Sequence, residues 1–400
     1  MSTPLNKLCE LIVDCPHSTA PDEGEGYPLI RTPNIGPGYL DLTGVHRVSK
    51  EAYDIRNARA VPQPMDLILA REAPAGNVGI IREGQWVCLG QRTVLIRPDQ
   101  KKVDPWFLNY YLNAPRQRHR LLSNANGATV SHVNMPIIRN LPVDLPGMEA
   151  QRRIASILMA YDNLIENNRR QIALLEEAAQ RLYKEWFVAL RYPNRKASVD
   201  GTGWTQLPLT ECASIIRGRS YTSAEIDGDE GIALVNLKNL RSYGGWSGGA
   251  EKTYTGAFKE EQHVSPGDII MGVTDMTKER RLVGHVALVP DLEREAIISM
   301  DLVKLVPTQV ERLYLYALLR FSGIAEKIAL LANGTNVLHL KPQILSSVQI
   351  PVPGSELQLA FAKHVSPMID EINLCTRRIV SAQEARNRLL PKLMSGEVEV

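Results

Sequence analysis

Three stretches of the sequence carry arginine and lysine with few acidic residues to neutralise them. Residues 105–143 contain no Asp or Glu, and neither do residues 212–224. A third stretch places three basic residues around Glu279. Arginine and lysine neutralise phosphates, and arginine and asparagine form paired hydrogen bonds with guanine and adenine edges. These stretches predict contact with DNA, although solvated cationic loops have the same composition and that interpretation stays open.

The side chains expected to contact DNA are basic, amide, hydroxyl, phenol and imidazole groups of these stretches and of residues 336–341. They are Arg116, Arg118, Arg120, Asn124, Asn126, Ser131, His132, Arg217, Arg219, Ser220, Tyr221, Lys278, Arg280, Arg281, Asn336, His339 and Lys341. His132 and His339 are equivalent in the repeat described below, but a lone histidine near a strand is more often structural or simply exposed. The formal net charge is only +2 at pH 7, so a DNA-binding surface must be a local concentration of charge.

Several catalytic motifs are absent from the sequence. It has no GxxxxGK[ST] phosphate loop, no GxGxxG after a strand, no HExxH and no Asn-Pro-Pro or Asp-Pro-Pro motif of an adenine methyltransferase. Five cysteines and eight histidines show no metal-ligand spacing, so we expect no metal site and reduced thiols in a cytoplasmic protein. No apolar run approaches a membrane span, and the first 15 residues lack a secretory pattern. These observations favour a binding or measuring function.

An internal repeat organises the elements that must hold these side chains. Residues 127–132 and 141–147 recur 207 positions later as residues 334–339 and 348–354, and the offset falls to 205 and then 202 further upstream. The order is globular region, long helix, globular region, long helix. It predicts a first domain, a central helix, a linker, a second domain and a C-terminal helix, over residues 1–147, 148–190, 191–203, 204–354 and 355–397.

Each globular region is predicted to be a mixed α/β domain, which gives the whole chain an α+β fold class. Apolar runs between turn residues predict strands at residues 67–70, 78–81, 87–89 and 93–96, and at residues 233–235, 268–271, 286–289 and 302–306. A helix is predicted after each set, over residues 105–122 and 310–331. Prolines at 142, 146, 351 and 353 exclude helix there, so the long helices are expected to begin near Met148 and Ser355.

The two long helices share one apolar pattern. Ten positions from Ile154 to Trp186 are spaced alternately four and three residues apart, and the same ten recur at an offset of 207. This 3.5-residue period predicts an intramolecular antiparallel coiled coil with a pseudo-two-fold axis, and two unrelated amphipathic helices are the alternative. The predicted seam includes Ile154, Leu158, Ile165, Ile172, Leu175, Leu182, Phe361, Val365, Ile372, Ile379, Leu389 and Leu393.

Polar residues also occur in the seam. Asn168 and Cys375 stand near its middle, where a polar side chain either fixes the register or is a tolerated defect. The segment from Ile154 to Trp186 is about 48 Å long at about 1.5 Å per residue. That length corresponds to about 14 base pairs at about 3.4 Å each.

Five motifs resemble those of the specificity (S) subunits of type I restriction–modification systems. Leu389-Leu-Pro-Lys-Leu-Met-Ser-Gly-Glu397 resembles the closing motif of that family. Pro146-Gly-Met-Glu-Ala-Gln151 and Pro353-Gly-Ser-Glu-Leu-Gln358 resemble the entries to its two helices. Asp14-Cys-Pro-His-Ser-Thr19 and Ile216-Arg-Gly-Arg-Ser-Tyr-Thr-Ser223 resemble loops near the start of its target recognition domains. The resemblance covers the whole chain.

Two features depart from the family's pattern. The first helix ends on Arg181-Leu-Tyr-Lys-Glu-Trp-Phe187 where the second has the closing motif, and Arg386 interrupts the seam. Both departures leave the packing of the helix ends open.

The resemblance implies a DNA specificity subunit without catalytic residues. Each of two target recognition domains would read one half of an asymmetric, two-part double-stranded DNA sequence, chiefly through the major groove, and the helices would set the unread gap. The implied partners are two methyltransferase (M) subunits, which bind S-adenosylmethionine and methylate adenine, and restriction (R) subunits, which use ATP and Mg²⁺. A self-sufficient DNA nuclease or methyltransferase and a coiled-coil scaffold that binds only proteins are the alternatives.

Overall fold

The computed structural model describes residues 2–72, 75–123, 132–193, 204–226, 230–249 and 252–400. The chain divides into two compact units. The first consists of Met1–Leu164 with Ala382–Val400, and the second of Ile165–Ser381. The division cuts both long helices, which span Met148–Tyr183 and Ser355–Ser395, so each unit contains one segment of each long helix. Two mixed α/β regions with two long helices form the predicted α+β fold.

The first unit is built on a four-stranded antiparallel sheet. Its strands are β1 (Ser2–Pro4), β2 (Cys9–Asp14), β3 (Tyr27–Ile30), β4 (Arg47–Val48), β5 (Leu67–Ala70), β6 (Val78–Ile80), β7 (Cys88–Leu89), β8 (Thr93–Pro98) and β9 (Pro142–Asp144). Its helices are α1 (Lys50–Arg56), α2 (Pro105–Asn113), α3 (Pro115–Ser123), α4 (Met135–Arg139) and the start of α5 (Met148–Tyr183). The main sheet has the order β2-β8-β5-β6, and β4-β3-β7 and β1-β9 form smaller sheets.

The second unit repeats this topology. Its strands are β10 (Thr205–Pro208), β11 (Ala213–Arg217), β12 (Ile232–Val235), β13 (Thr253–Tyr254), β14 (His263–Val264), β15 (Ile269–Gly272), β16 (Thr274–Asp275), β17 (Val286–Leu288), β18 (Ala296–Ile298), β19 (Leu302–Pro307), β20 (Leu338–His339) and β21 (Gln349–Val352). Its helices are α6 (Leu209–Cys212), α7 (Arg312–Phe321), α8 (Ile324–Leu330) and most of α9 (Ser355–Ser395). The main sheet has the order β11-β19-β15-β17. A parallel pair, β12 with β18, corresponds to the parallel pair of β3 with β7.

Two predicted helices are each broken in two. The helix expected over residues 105–122 is interrupted at Ala114, whose backbone is extended because Pro115 follows it. The helix expected over residues 310–331 is interrupted at Gly323, which has a φ of 83° that other residues adopt only with strain. Proline and glycine are thus the physical reasons for both corrections.

A buried glutamine ties each long helix to the preceding domain. Gln151 Oε1 accepts from the backbone N–H of Asp104 at 2.9 Å, and its Nε2 donates to Pro146 O at 2.9 Å. In the second unit Gln358 Oε1 accepts from the backbone N–H of Glu311 at 2.8 Å, and Nε2 donates back to a proline carbonyl at 2.7 Å. The Pro-x-x-Glu-x-Gln pattern is therefore explained by the geometry of the helix entry.

The seam positions are sequestered from solvent. All twenty positions of the two ten-residue patterns are buried or half-buried. In the first unit Arg386 forms an ion pair with Asp162, which also accepts a hydrogen bond from Tyr110 Oη. Burial, assisted by the carboxylate, raises the pKa of Tyr110. Arg386 therefore occupies the seam with a partner rather than as an uncompensated charge.

The end of α5 packs through aromatic rings in the second unit. After Tyr183 the helix continues as a π-helical turn over Lys184–Val188. The ring of Phe187 lies 4.9 Å from that of Tyr314 and 5.0 Å from that of Phe361. Trp186 lies 6.0 Å from Phe361, near the start of α9, whereas Gln171 bonds Glu371 further along α9. The two helix segments of this unit therefore run antiparallel.

Candidate nucleic-acid interface

One end of the main sheet in each unit gathers polar and basic side chains. In the first unit β2 and β5 end and β8 begins at this end of the sheet. In the second, β11 and β15 end and β19 begins there. We call these ends the first loop edge, comprising residues 14–19, 71–72, 90–92 and 132–133, and the second loop edge, comprising residues 217–221, 273–282, 299–301 and 336–341.

Three backbone hydrogen bonds define the first loop edge. Cys15 N–H donates to Thr93 O at 3.1 Å, and Arg71 N–H donates to Arg92 O at 2.8 Å. Val133 N–H completes the set by donating to Arg71 O at 3.0 Å. These bonds hold three separate segments against the start of β8.

The second loop edge has the same three bonds at equivalent positions. Gly218 N–H donates to Leu302 O at 3.1 Å, and Val273 N–H donates to Asp301 O at 2.9 Å. Leu340 N–H donates to Val273 O at 2.8 Å. The two edges therefore have one backbone framework, in which Arg71 corresponds to Val273 and Arg92 to Asp301.

A chain of charged side chains fills the first loop edge. Arg71, whose side chain is 7% exposed, donates from Nη1 to Asp14 at 2.7 Å, and its Nη2 lies 2.7 Å from Nε2 of His132. Across the imidazole ring, Nδ1 of His132 lies 2.8 Å from Glu72 Oε1. The other oxygen of Glu72 forms an ion pair with Arg92, whose Nε lies 2.8 Å away.

The bond with arginine settles the tautomer of His132. Arginine has no acceptor atom, so Arg71 donates to Nε2 of the ring. The ring proton is therefore on Nδ1 and is donated to Glu72. His132 thus connects two charged groups, and the structure places it inside the network rather than on a free surface.

The predicted arginines of the first unit lie on α3. Arg116 is exposed, and Arg118 is half-buried. Arg120 donates to Gln117 at 3.3 Å and pairs with Asp144 at 3.7 Å, so it is already engaged within the unit. The predicted contacts Asn124, Asn126 and Ser131 lie outside the described residues.

The second loop edge brings its basic segments together. Met300 N–H donates to Arg219 O at 2.8 Å, which attaches the segment 217–221 to the turn 299–301. Asp301 Oδ1 accepts from the Thr274 hydroxyl at 2.9 Å, and Thr274 pairs with His339 between β16 and β20. Residues predicted from three distant parts of the sequence therefore share one surface.

A buried aspartate anchors the most basic loop of this edge. Asp275 is fully buried and accepts from the hydroxyl and the N–H of Thr277, both at 2.7 Å, and from the N–H groups of Leu282 and Val283 at 2.6 and 3.2 Å. Burial alone would raise the pKa of Asp275, but these hydrogen bonds outweigh it and lower the pKa. The carboxylate thus ties both ends of the loop that carries Lys278 and Arg281.

Most of the predicted side chains at the second loop edge face solvent. Exposed residues are Arg217, Ser220, Lys278, Arg281, Asn336, His339 and Lys341, and half-buried ones are Arg219, Tyr221 and Arg280. Arg219 Nε donates to Tyr254 Oη at 3.1 Å, and Lys252 Nζ lies 5.5 Å from the ring of Tyr221. This surface combines long cationic side chains with polar donors and acceptors, and DNA contact requires both.

Several residues of the two edges escaped the sequence analysis. Arg71 and Arg92 are single arginines among apolar or polar neighbours, so no charge cluster marks them. Met276 and Met300 are 80% and 52% exposed, and no charge pattern in the sequence marks them either. Asp275 carried a usable signal, because Asp-x-Thr favours a turn closed by the aspartate side chain.

One catalytic pattern is present that the sequence analysis missed. Gly245-Trp-Ser-Gly-Gly249 matches the GxSxG pattern of serine hydrolases. These residues form an irregular loop with one β-bridge at Trp246, not the strand-to-helix elbow that exposes such a serine, so the sequence pattern is present without the geometry. Among the described residues, no group of three or more His, Cys, Asp or Glu is arranged to hold a metal ion. Within the same residues, every helix is too short or too polar to cross a bilayer.

Comparisons with known proteins agree on one family. Residues 7–177 match the family model for the type I restriction modification DNA specificity domain. The specificity subunit of the type I restriction enzyme MjaVIII from Methanocaldococcus jannaschii is 22% identical over 400 residues, covering 95% of this chain and 88% of the relative. A putative MjaX specificity subunit of the same organism is 25% identical over 390 residues, covering 94% of this chain and 88% of the relative.

The fold is also that of a solved S subunit. The crystal structure of the type I restriction–modification S subunit from M. genitalium is 15% identical, with a TM-score of 0.59 over 98% of this chain and 95% of that one. The match extends over both units, beyond the residues of the family model. Residues 7–177 thus carry the type I restriction modification DNA specificity domain, and the chain is similar to type I specificity subunits over most of its length.

Proposed function

We propose that the chain recognises an asymmetric, two-part sequence in double-stranded DNA, with each loop edge reading one half. The observation that carries this proposal is the repeated backbone framework, which holds different side chains in the two units. A shared framework gives both edges the same approach to a duplex, and different side chains give them different base preferences. The relatives are named specificity subunits, which supports the same assignment.

The candidate contacts divide by chemistry. Exposed cations such as Lys278, Arg281 and Lys341 suit phosphates, because a long flexible side chain neutralises charge without a fixed direction. Side chains held by neighbours, such as Arg219 and Arg92, suit base edges, because direction decides which base is accepted.

The long helices are proposed to set the number of unread base pairs and to bind two methyltransferase subunits. α5 has 36 residues and α9 has 41, which gives about 54 and about 61 Å at about 1.5 Å per residue. In this proposal the chain is not an enzyme and binds no cofactor, since S-adenosylmethionine belongs to the methyltransferase subunits and ATP with Mg²⁺ to the restriction subunits. We infer that the complex works in the cytoplasm.

A domain exchange tests the assignment of the two halves. Residues 1–147 are replaced by the same region of a relative, and the methylated sites produced with the methyltransferase subunits are mapped. One half of the site should change and the other should stay the same. A change in both halves would contradict independent reading by the two units.

Helix insertion tests the spacing function. Four residues, about one turn, are added at matched places in α5 and α9, and the unread gap should lengthen without a change in either half. An unchanged gap with intact methylation would refute the spacing function. Methyl transfer or cleavage by the purified chain alone would support a self-sufficient enzyme instead. No binding to DNA even at low salt, where such binding is strongest, would support a protein scaffold.

A further inference from the structure

Arg92 is held in place at the first loop edge, yet part of its charged group is uncommitted. Its side chain is 59% exposed and forms an ion pair with Glu72, in which Nε lies 2.8 Å from Oε2. Within the described part of the chain, neither Nη1 nor Nη2 of Arg92 donates a hydrogen bond. An arginine fixed through Nε presents its remaining donors as a fork in a set direction.

The backbone at Arg92 also has an unusual conformation. Its φ is 65°, in the left-handed region that residues other than glycine rarely adopt. The carbonyl of Arg92 accepts the framework bond from Arg71 N–H, so the turn is fixed at this residue. Such conformations persist where the surrounding structure imposes them, and they concentrate at functional sites.

The side chains behind Arg92 are fixed in series. Glu72 is bound by Nδ1–H of His132, whose other nitrogen accepts from Arg71. Arg71 is in turn held by Asp14. Arg71 also donates from Nε to Val133 O at 2.9 Å, so the side chains behind Glu72 are held before any ligand arrives, and with them the direction of Arg92.

We propose that Arg92 reads a guanine in the half-site bound by the first loop edge, donating from Nη1 and Nη2 to guanine O6 and N7 in the major groove. Glu72 and His132 are positioning residues for it. Guanine presents two acceptors there, whereas adenine presents one acceptor and one donor, so a group with donors only distinguishes them. The inference rests on the proposed function of the first loop edge.

The second loop edge has no arginine at the position equivalent to Arg92. Asp301 occupies the position equivalent to Arg92, and its carboxylate accepts from Thr274. An acid there repels the acceptors of guanine rather than binding them. The proposed guanine contact therefore belongs to one half-site only.

The test uses the full chain assembled with its methyltransferase subunits and duplexes that carry single changes in the mapped site. For the unaltered chain, 7-deazaguanine or adenine at one guanine of the first half-site should slow methylation about 5- to 150-fold. Arg92→Gly should abolish that penalty and leave the penalties at other positions intact. Glycine adopts the left-handed conformation without strain, so this variant is expected to fold.

Two further variants sharpen the result. Glu72→Gln should reduce the guanine penalty without abolishing it, because Arg92 remains but loses its ionic partner. Arg281→Gly, which removes an exposed arginine from the second loop edge, is the matched control and should leave the guanine penalty unchanged. Hydrogen exchange of β5 and β8 in each variant checks that the first unit keeps its structure.

The outcomes separate the two proposals. If the unaltered chain directs methylation to a defined site but Arg92→Gly keeps every base penalty, or the first half-site contains no guanine, the inference about Arg92 is overturned alone. If the unaltered chain directs no sequence-specific methylation, the proposed function fails and this inference fails with it.

Discussion

The two loop edges share a backbone framework and differ in how they hold charge. In the first, the buried guanidinium of Arg71 lies in a series of ion pairs and hydrogen bonds that runs from Asp14 to Arg92. In the second, Val273 takes the place of Arg71, and buried Asp275 instead binds the backbone of a loop with exposed cations. The framework depends on backbone groups, so its side chains are free to differ. One fold can therefore present two different surfaces to DNA.

The largest expected effect comes from breaking the framework in one unit only. A Cβ on Gly218 would lie 2.0 Å from Ser299 O, so Gly218→Ala must displace the second loop edge. Sequence-specific methylation should fall roughly 1,000-fold, toward non-specific binding. The matched change is Cys15→Ala at the equivalent position, which removes one buried sulfur and should cost only about 1 kcal/mol of stability. Equal losses from the two variants would show that the clash of a Cβ at residue 218 with Ser299 O is not the cause of the loss.

Removing the buried charge from the first loop edge should have the next largest effect. Arg71→Met leaves Asp14 and His132 without their partner, and breaking a buried pair in this way costs about 3–5 kcal/mol. Val273→Ala at the equivalent position removes only apolar volume and should cost at most about 2 kcal/mol. Hydrogen exchange of β5 and β15 measures each unit separately. A larger loss at β15 would contradict the role given to the ion pairs.

A smaller effect is expected from the carboxylate that anchors the second loop edge. Asp275→Asn replaces an acceptor by an amide whose NH₂ group faces backbone donors, which should cost about 1–3 kcal/mol. Faster hydrogen exchange at Leu282 and Val283 would report the released loop. Unchanged exchange at both amides would show that the carboxylate does not hold it.

The Asp275 carboxylate also predicts that the stability of the second loop edge depends on pH. The pKa of Asp275 is lowered on folding from its ordinary value of 3.8. Its contribution to stability is therefore fully present above about pH 4 and is lost as pH falls through the lower, folded-state pKa. Acid titration of loop exchange should show this loss in the unaltered protein and not in Asp275→Asn. A loss that begins above pH 6 would require another group.

The smallest effects are expected from exposed cations. Lys278→Ala and Arg281→Ala should each weaken binding to all sequences alike and lower the slope of log affinity against log salt by about 0.9. Binding titrations from low to moderate salt measure this slope. A change in base preference with an unchanged slope would show that these residues contact bases rather than phosphates.

Much of the fold was predictable because its signals are local or periodic. The strand at residues 67–70 is a continuous apolar run, and all four side chains are buried. α5 begins at Met148 and α9 at Ser355, directly after segments in which proline excludes helix. α9 continues through Pro367 and Pro391, each of which removes a helix hydrogen bond. Phe361 and Val365 before Pro367, and Leu393 after Pro391, are buried, and this packing offsets the loss.

The candidate site was predictable only in part. The basic loop at Lys278 and the segment at Arg219 stood out by composition. They lie on one surface only because both contact the turn at Asp301, and strand pairing between distant parts of the sequence forms that turn. Nothing in the sequence marks Arg92. Its importance comes from its left-handed backbone conformation and from its ion pair with Glu72, twenty residues away.

The central claim is that the two edges read different halves of one site, and crosslinking tests it most directly. Gln91 and Met300 occupy equivalent positions in the turns 90–92 and 299–301, and each is replaced in turn by a photo-crosslinking amino acid in the full complex. The account predicts that position 91 crosslinks to one half of the mapped site and position 300 to the other. Crosslinks from both positions to the same half, or from neither to DNA, would contradict it.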